Sequence, residues 1–195
     1  MRHEELSVGR LIAGPKGEVT RFLKTFLAVP AGAVADRYFA SAAMHNGAYA
    51  VANGGLPGDG LAHNVTCAQT AVDVEDTNGT LTIVGKDSRG YTISEVLIPD
   101  AGVTVQGTKA FAQVTSITGA AWAQGGAGAD TIVIGFGDIV GLPDFIPAAA
   151  DVFLVAMGTA LINAPTVTVD AALCKNTVNA TGADGAKKLR VIYLI

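Results

Sequence analysis

Between Thr80 and Pro143 the chain contains the segments Thr80-Leu-Thr-Ile-Val84, Tyr91-Thr-Ile-Ser-Glu-Val-Leu-Ile98, Gly107-Thr-Lys-Ala-Phe-Ala-Gln-Val-Thr-Ser-Ile-Thr-Gly119 and Thr131-Ile-Val-Ile-Gly-Phe-Gly-Asp-Ile-Val-Gly-Leu-Pro143. Apolar residues recur at alternate positions, so Leu81 and Ile83 face away from Thr80 and Thr82. Ile132 and Ile134 alternate with their neighbours in the same way. This period of two is typical of antiparallel strands that bury one face.

The whole chain from residue 25 onward repeats this pattern of short strands and turns. Turn signals separate the strands, among them Asn78-Gly79, Arg89-Gly90 and Asp184-Gly185. Strands are predicted at residues 25–29, 36–42, 48–52, 64–69, 80–84, 91–98, 103–105, 111–117, 131–136, 152–157, 166–169 and 189–194. Many short strands with glycine-rich turns predict an all-β fold, namely an antiparallel β-sandwich or jelly-roll-like domain.

The first residues differ from the rest of the chain. Leu6-Ser-Val-Gly-Arg-Leu-Ile-Ala-Gly-Pro15 holds two glycines and a proline, which disfavour a long helix. We therefore expect an extended N-terminal arm over residues 1–24 and a single β-sandwich domain over residues 25–195.

The composition is unusually poor in charge. Apolar residues make up 50% of the chain and charged residues 15%, whereas soluble proteins usually carry about 25% charged residues. This balance favours a protein whose apolar surface is partly covered by neighbouring molecules. The net charge of −4 argues against a nucleic-acid partner. The longest apolar run, residues 152–164, is shorter than the roughly 20 residues that cross a bilayer, so no membrane partner is expected.

One glycine motif invites a cofactor interpretation. Gly135-Phe-Gly-Asp-Ile-Val-Gly141 follows a predicted strand, but its third glycine comes one residue later than in a dinucleotide fingerprint. Pro143 also prevents the helix whose N-terminus would bind the pyrophosphate. We expect a glycine-bordered turn between strands here and no cofactor.

The histidines and cysteines show no metal-binding or catalytic spacing. His45 and His63 lie in Gly- and Asn-rich segments, which predict exposed imidazoles. Cys67 and Cys174 are far apart in sequence, and two buried thiols are expected rather than a disulfide. The sequence thus predicts no catalytic, cofactor-binding or metal-ligating residues, and a protein that is not an enzyme.

Three motifs carry a family resemblance: Gly85-Lys-Asp-Ser-Arg-Gly90, Gly107-Thr-Lys-Ala-Phe111 and Gly135-Phe-Gly-Asp-Ile-Val-Gly-Leu-Pro143. Their order resembles β-sandwich decoration (cement) proteins of tailed-bacteriophage heads. The resemblance implies a structural virion protein on the capsid exterior, made in the host bacterial cytoplasm. It also implies a homo-oligomer, a trimer, that binds the major capsid protein and stabilises contacts between capsomers. An N-terminal arm would reach neighbouring subunits.

Two alternatives remain open at this stage. A phage tail-tube, minor tail or head-fibre-base protein would share the same strand pattern. A carbohydrate-binding or adhesion module would need aromatic platforms, but Trp122 is the only tryptophan and the four tyrosines are scattered.

Overall fold

The structure is a computed structural model that describes residues 22–72, 74–126, 128–162, 166–169 and 176–195. Within these ranges the chain forms β-strands and two short 3-10 turns, at Ala52–Gly55 and Ala149–Asp151. The described strands are β1 (Leu23–Ala28), β2 (Val34–Ala43), β3 (Gly47–Tyr49), β4 (His63–Thr70), β5 (Thr80–Lys86), β6 (Thr92–Leu97), β7 (Thr104–Phe111), β8 (Gln113–Ala120), β9 (Thr131–Gly141), β10 (Val152–Met157), β11 (Ala160–Leu161), β12 (Val167–Thr168), β13 (Thr177–Asn179) and β14 (Leu189–Leu194).

The strands form three sheets in which every named strand pairs antiparallel with its neighbours. Sheet A has the order β1-β14-β10-β11, and sheet C has the order β3-β8-β5-β6. Sheet B has the order β12-β13-β9-β4-β7, and β2 also pairs with β9. The predicted all-β antiparallel sandwich is confirmed. Its jelly-roll connectivity stays a prediction.

Sheets B and C enclose the first hydrophobic core. Leu81 and Ile83 of β5 pack there with Ile132 and Ile134 of β9, and all four are fully buried. The alternation that the sequence shows in these two strands therefore marks their buried faces, as expected. Burying side chains of this size stabilises the fold by about 1.5–3 kcal/mol each.

A second core lies between sheet A and the far end of sheet B. It contains Val140 from the end of β9, Val178 from β13, Val155 from β10, and Val191 and Tyr193 from β14. β9 thus contributes to both cores. One edge of β9 pairs with β4 along its length, while the other edge pairs first with β2 and then with β13.

The turn predicted within Gly135–Gly141 is wrong, because β9 continues through these residues. Gly135 lies against the backbone of Val34 and Ala35 on β2, with no room for a Cβ atom. A Cβ at Gly137 would lie 2.8 Å from the side-chain oxygen of Asn64. These glycines let neighbouring groups approach a continuous strand, whereas the sequence pattern suggested chain reversal.

Most strand boundaries differ by a few residues from the sequence-based expectation, and the strands Ala160–Leu161 and Thr177–Asn179 were not predicted. The difference is clearest around Gly107. The strands predicted at 103–105 and 111–117 are instead Thr104–Phe111 and Gln113–Ala120, because Gly107 is an interior strand residue. Residues 1–21 of the predicted arm lie outside the described residues. The last two residues of the predicted arm, Leu23 and Lys24, belong to β1. The Lys24 ammonium forms a salt bridge with the Asp144 carboxylate at 2.8 Å.

We expect Gly135→Ala to destabilise the protein by about 3 kcal/mol or more, because the new methyl group overlaps the β2 backbone and forces two paired strands apart. Urea unfolding followed by circular dichroism measures this difference. Gly128→Ala is the matched control, since among the described residues its Cβ meets the side chain of Val72 alone, and Val72 is 60% exposed. Equal stability of the two variants would contradict the close approach at Gly135.

Candidate functional site

The most chemically distinctive group in the described residues is a buried histidine. His63 begins β4 and is fully buried, and its ring lies 4.6 Å from the ring of Phe136. Its Nδ1 lies 3.0 Å from the carbonyl oxygen of Gly137, and its Nε2 lies 2.8 Å from Oδ2 of Asp59. A carbonyl and an ionised carboxylate only accept hydrogen bonds, so both contacts are satisfied when both ring nitrogens carry protons.

Asp59 holds this ion pair in place from a glycine-rich loop. Its carboxylate also accepts hydrogen bonds from the backbone N–H groups of Ala31, at 2.8 Å, and Leu61, at 3.0 Å. Burial by itself raises the pKa of Asp59. The hydrogen bond and charge of His63, together with the two backbone donors, outweigh burial and lower this pKa to about 2. The carboxylate therefore fixes the loop before β4 to the segment before β2.

Asn64 completes the group at a point where the register of β4 shifts against both of its neighbouring strands. The register of β4 shifts on both sides of this residue, against β9 between His63 and Val65 and against β7 between Asn64 and Thr66. Its side-chain oxygen accepts from Ile139 N at 3.1 Å, and its side-chain nitrogen donates to Gly107 O at 3.1 Å. Backbone groups that lose a strand partner at the bulges are thus paired by a buried amide.

A further polar side chain, from sheet C, bonds to the backbone at the same register shift. Glu95 of β6 accepts hydrogen bonds from Thr108 N at 2.8 Å and from Lys109 N at 3.3 Å. Both donors belong to the bulged part of β7. The carboxylate therefore links the edges of sheets B and C.

The prediction of an exposed imidazole at His63 is wrong. The surrounding Asn and Gly residues suggested a loop, but their role is to build bulges beside a strand that starts one residue earlier than predicted. Sequence offered one signal, namely His63-Asn64 placed directly before the apolar strand residue Val65. The ring nitrogens and the Asn64 amide all bond to protein groups, so this buried centre supports architecture rather than catalysis.

The remaining candidates stay apart from this centre. His45 is exposed, as expected, and its ring stacks on Tyr49 at 4.1 Å. Cys67 is a free, buried thiol in β4, and burial raises its pKa to about 12, which makes it unreactive. Cys174 lies outside the described residues.

Metal-binding and membrane-spanning features were sought in the described part of the chain. Within those residues, no three His, Cys, Asp or Glu side chains come together as a metal site requires. The helical segments described are too short to cross a bilayer.

Sheet C has an outer face formed by its four strands, all of which are fully described. Ten residues that alternate with the first core point outward and carry no charge: Ala48, Thr80, Thr82, Val84, Thr92, Ser94, Val96, Ser116, Thr118 and Ala120. Lys86, the last residue of β5, adds a charge at one end of the same face. Thr82 lies at the centre, paired with Thr118 on one side and with the 57% exposed Val96 on the other. A sheet face with small hydroxyl and aliphatic groups can lie flat against another protein without desolvating charges. We call this surface the sheet C face.

Comparison with known proteins gives no relative: the chain matches no protein-family model, no curated protein and no solved structure.

We expect the Asp59–His63 pair to make stability depend on acidic pH. The pKa of Asp59 is about 2 in the folded protein and 3.8 ordinarily, so its contribution is complete above pH 3.8 and is lost as the pH falls towards 2. Because Asp59 is only partly buried and solvent screens its interactions, this contribution amounts to about 1–2 kcal/mol. Urea unfolding at several pH values between 5 and 2 should show a shallower decline for Asp59→Asn than for the wild type.

Asp36→Asn is the control for this pH series, since Asp36 is exposed. Its unfolding free energy should fall in parallel with that of the wild type. A parallel decline for Asp59→Asn as well would show that the buried pair contributes nothing to the acid sensitivity.

Proposed function

We propose that this protein is a structural component of a phage virion, a decoration protein that binds the outside of the head and stabilises contacts between capsomers. The observation that supports this most directly is the sheet C face, where ten outward residues carry no charge and the charged Lys86 lies at one end. The resemblance of the three glycine motifs to head decoration proteins supplies the family. The partners proposed are the major capsid protein and further copies of this chain.

The physical demands of decoration agree with this architecture. Weak individual contacts are sufficient for a protein that is repeated over a lattice. Once a subunit is bound at one contact, its effective concentration at the neighbouring contacts is high. Flat surfaces formed by threonine, valine and alanine can make such contacts, because these small side chains lose little conformational entropy when they are buried. The buried polar groups described above are occupied in shaping the sandwich, which fits a protein that works by assembly and not as an enzyme.

The carbohydrate-binding alternative loses its main candidate. Trp122 is partly buried against the first core, and its backbone N–H donates to Asn46 at 3.0 Å. A sugar platform needs an open ring face, whereas this ring serves packing. No observation favours the alternative over assembly.

Location in a purified particle tests the proposal and separates head from tail. Cryo-electron microscopy of particles should show density for a β-sandwich of this size on the outer surface of the shell. Density along the tail or at a fibre base would contradict the decoration role in favour of another virion component. Absence from the particle would contradict both.

We expect a charge placed at the centre of the sheet C face to weaken capsid binding. Thr82→Lys and Thr118→Lys each put an ammonium group where the partner must exclude water, and each should reduce affinity by about tenfold or more, or roughly 1.4 kcal/mol. Co-sedimentation with expanded heads that lack the protein measures the affinity.

Val74→Lys provides the matched control, because this side chain is 97% exposed and lies outside the sheet C face. All three variants should unfold at the same urea concentration as the wild type. Unchanged capsid binding by both threonine variants would show that another surface makes the contact.

A further inference from the structure

Asparagine is followed by glycine at three places in the chain: Asn46-Gly47, Asn53-Gly54 and Asn78-Gly79. All three asparagines are exposed. Such pairs lose the side-chain amide spontaneously when the backbone nitrogen of the glycine attacks Cγ of the asparagine. Glycine permits this attack because it has no Cβ to hinder it. The local structure then decides which of the three pairs reacts, since Cγ and the glycine nitrogen must come together.

The amide of Asn46 is held at both of its polar atoms. Its side-chain nitrogen donates to Trp122 O at 2.9 Å, and its side-chain oxygen accepts from Trp122 N at 3.0 Å. The following residue, Gly47, belongs to β3 and pairs with Gly119 of β8. Rotation of this amide towards Gly47 N therefore breaks two hydrogen bonds, and the glycine is fixed within a sheet.

The amide of Asn78 is held in the same way. Its side-chain nitrogen donates to Pro99 O at 3.2 Å, and its side-chain oxygen accepts from Gln69 Nε2 at 2.6 Å. Gly79 is buried, and it lies so close to Ala120 O that a Cβ would overlap this oxygen. The backbone at this second pair has no room to rotate towards the asparagine side chain.

Asn53 differs from both of these residues. It lies in the glycine-rich loop between β3 and β4, where its side-chain nitrogen donates to Arg37 O at 2.6 Å. Within the described ranges, its side-chain oxygen accepts no hydrogen bond. Gly54 is exposed, and a Cβ built on it would meet no described atom within 4 Å. The amide of Asn53 is thus held at one atom only, beside a glycine that has open space around it.

The backbone at this third pair is also in an unfavourable conformation. Asn53 has a φ of 54°, in the left-handed region that side chains disfavour, and Gly54 follows with a φ of 62°. The carbonyl oxygens of the pair are attached, since Asn53 O accepts from Leu56 N and Gly54 O accepts from Gln113 Nε2. Rotation of Asn53 out of the left-handed region relieves its steric conflict, which lowers the cost of bringing Cγ to Gly54 N.

We propose that Asn53 is a site of spontaneous covalent modification that converts it to aspartate or isoaspartate. Gly54 N loses its proton and forms a bond with Cγ of Asn53, and the side-chain nitrogen leaves as ammonia. The resulting succinimide ring takes up one water, which breaks one of the two carbonyl bonds to the ring nitrogen. Both products carry a free carboxylate in place of the amide.

The modification changes how the loop is attached. A carboxylate has no N–H group to donate, so the contact with Arg37 O of β2 is lost and the loop gains a negative charge. The later part of the loop stays fixed, because Asp59 remains bonded to Ala31 N and His63. The inference concerns the folded chain and does not depend on its proposed role in a virion.

Incubation of the full-length protein at mildly alkaline pH, followed by proteolysis and tandem mass spectrometry, tests the proposal. Replacement of the amide by a carboxyl group raises the mass of the fragment that contains the modified residue. Asn53 should be modified about tenfold or more faster than Asn46 and Asn78, because each of those residues must first break a further hydrogen bond. Modification of Asn46 or Asn78 at the rate of Asn53 or faster would overturn the proposal.

The same incubation in concentrated urea is the control for the effect of the fold, and the three rates should become similar there. A preference for Asn53 that persists in urea would overturn the structural explanation. Ion-exchange chromatography gives a second measurement, because the product is more acidic. Asn53→Gln should slow the appearance of the acidic form, whereas the matched variant Asn46→Gln should form it at the wild-type rate. The opposite result would contradict the assignment of the site to Asn53.

Discussion

The structure depends on how the backbone of β9 is paired where this strand leaves one hydrophobic core and enters the next. Strand register is lost there on both sides of Asn64, and the polar backbone groups left over are buried. The side chains of His63 and Asn64 bond to these groups, and the Asp59 carboxylate bonds to the imidazole. An unpaired buried N–H or C=O costs about 1–3 kcal/mol. These side chains therefore stabilise the part of β9 that passes from one core to the other.

Glycine makes the same arrangement possible from the opposite side. Gly135 allows β2 to lie directly against β9, and Gly137 leaves space for the amide of Asn64. The protein therefore places Val, Ile and Leu on the core faces and glycine where strands or polar groups approach closely. The polar side chains of this region are used within the sandwich. The sheet C face, with its ten uncharged residues, is the surface that we propose for contacts with other proteins.

Local pattern predicted the sandwich because alternation is a property of neighbouring residues. Leu81, Ile83, Ile132 and Ile134 were assigned to buried faces from period two alone, and all are buried. The same local reasoning placed a turn at Gly135 and an exposed ring at His63. Both assignments were wrong for one physical reason: glycine and asparagine signal a turn when the chain is considered alone, yet they also occur where another strand forms a bulge. Only the partner strand distinguishes these cases.

The sequence by itself determined an all-β antiparallel fold, the buried face of its clearest strands and a surface poor in charge, because these follow from residue type and spacing. Tertiary structure alone decided that β9 continues through its glycines and joins two cores, and that His63 is buried against Asp59. Each of these depends on residues distant in sequence, such as Val34 against Gly135 and Gly107 against Asn64. Pairing between distant strands fixes them, and no local pattern encodes which strands will pair.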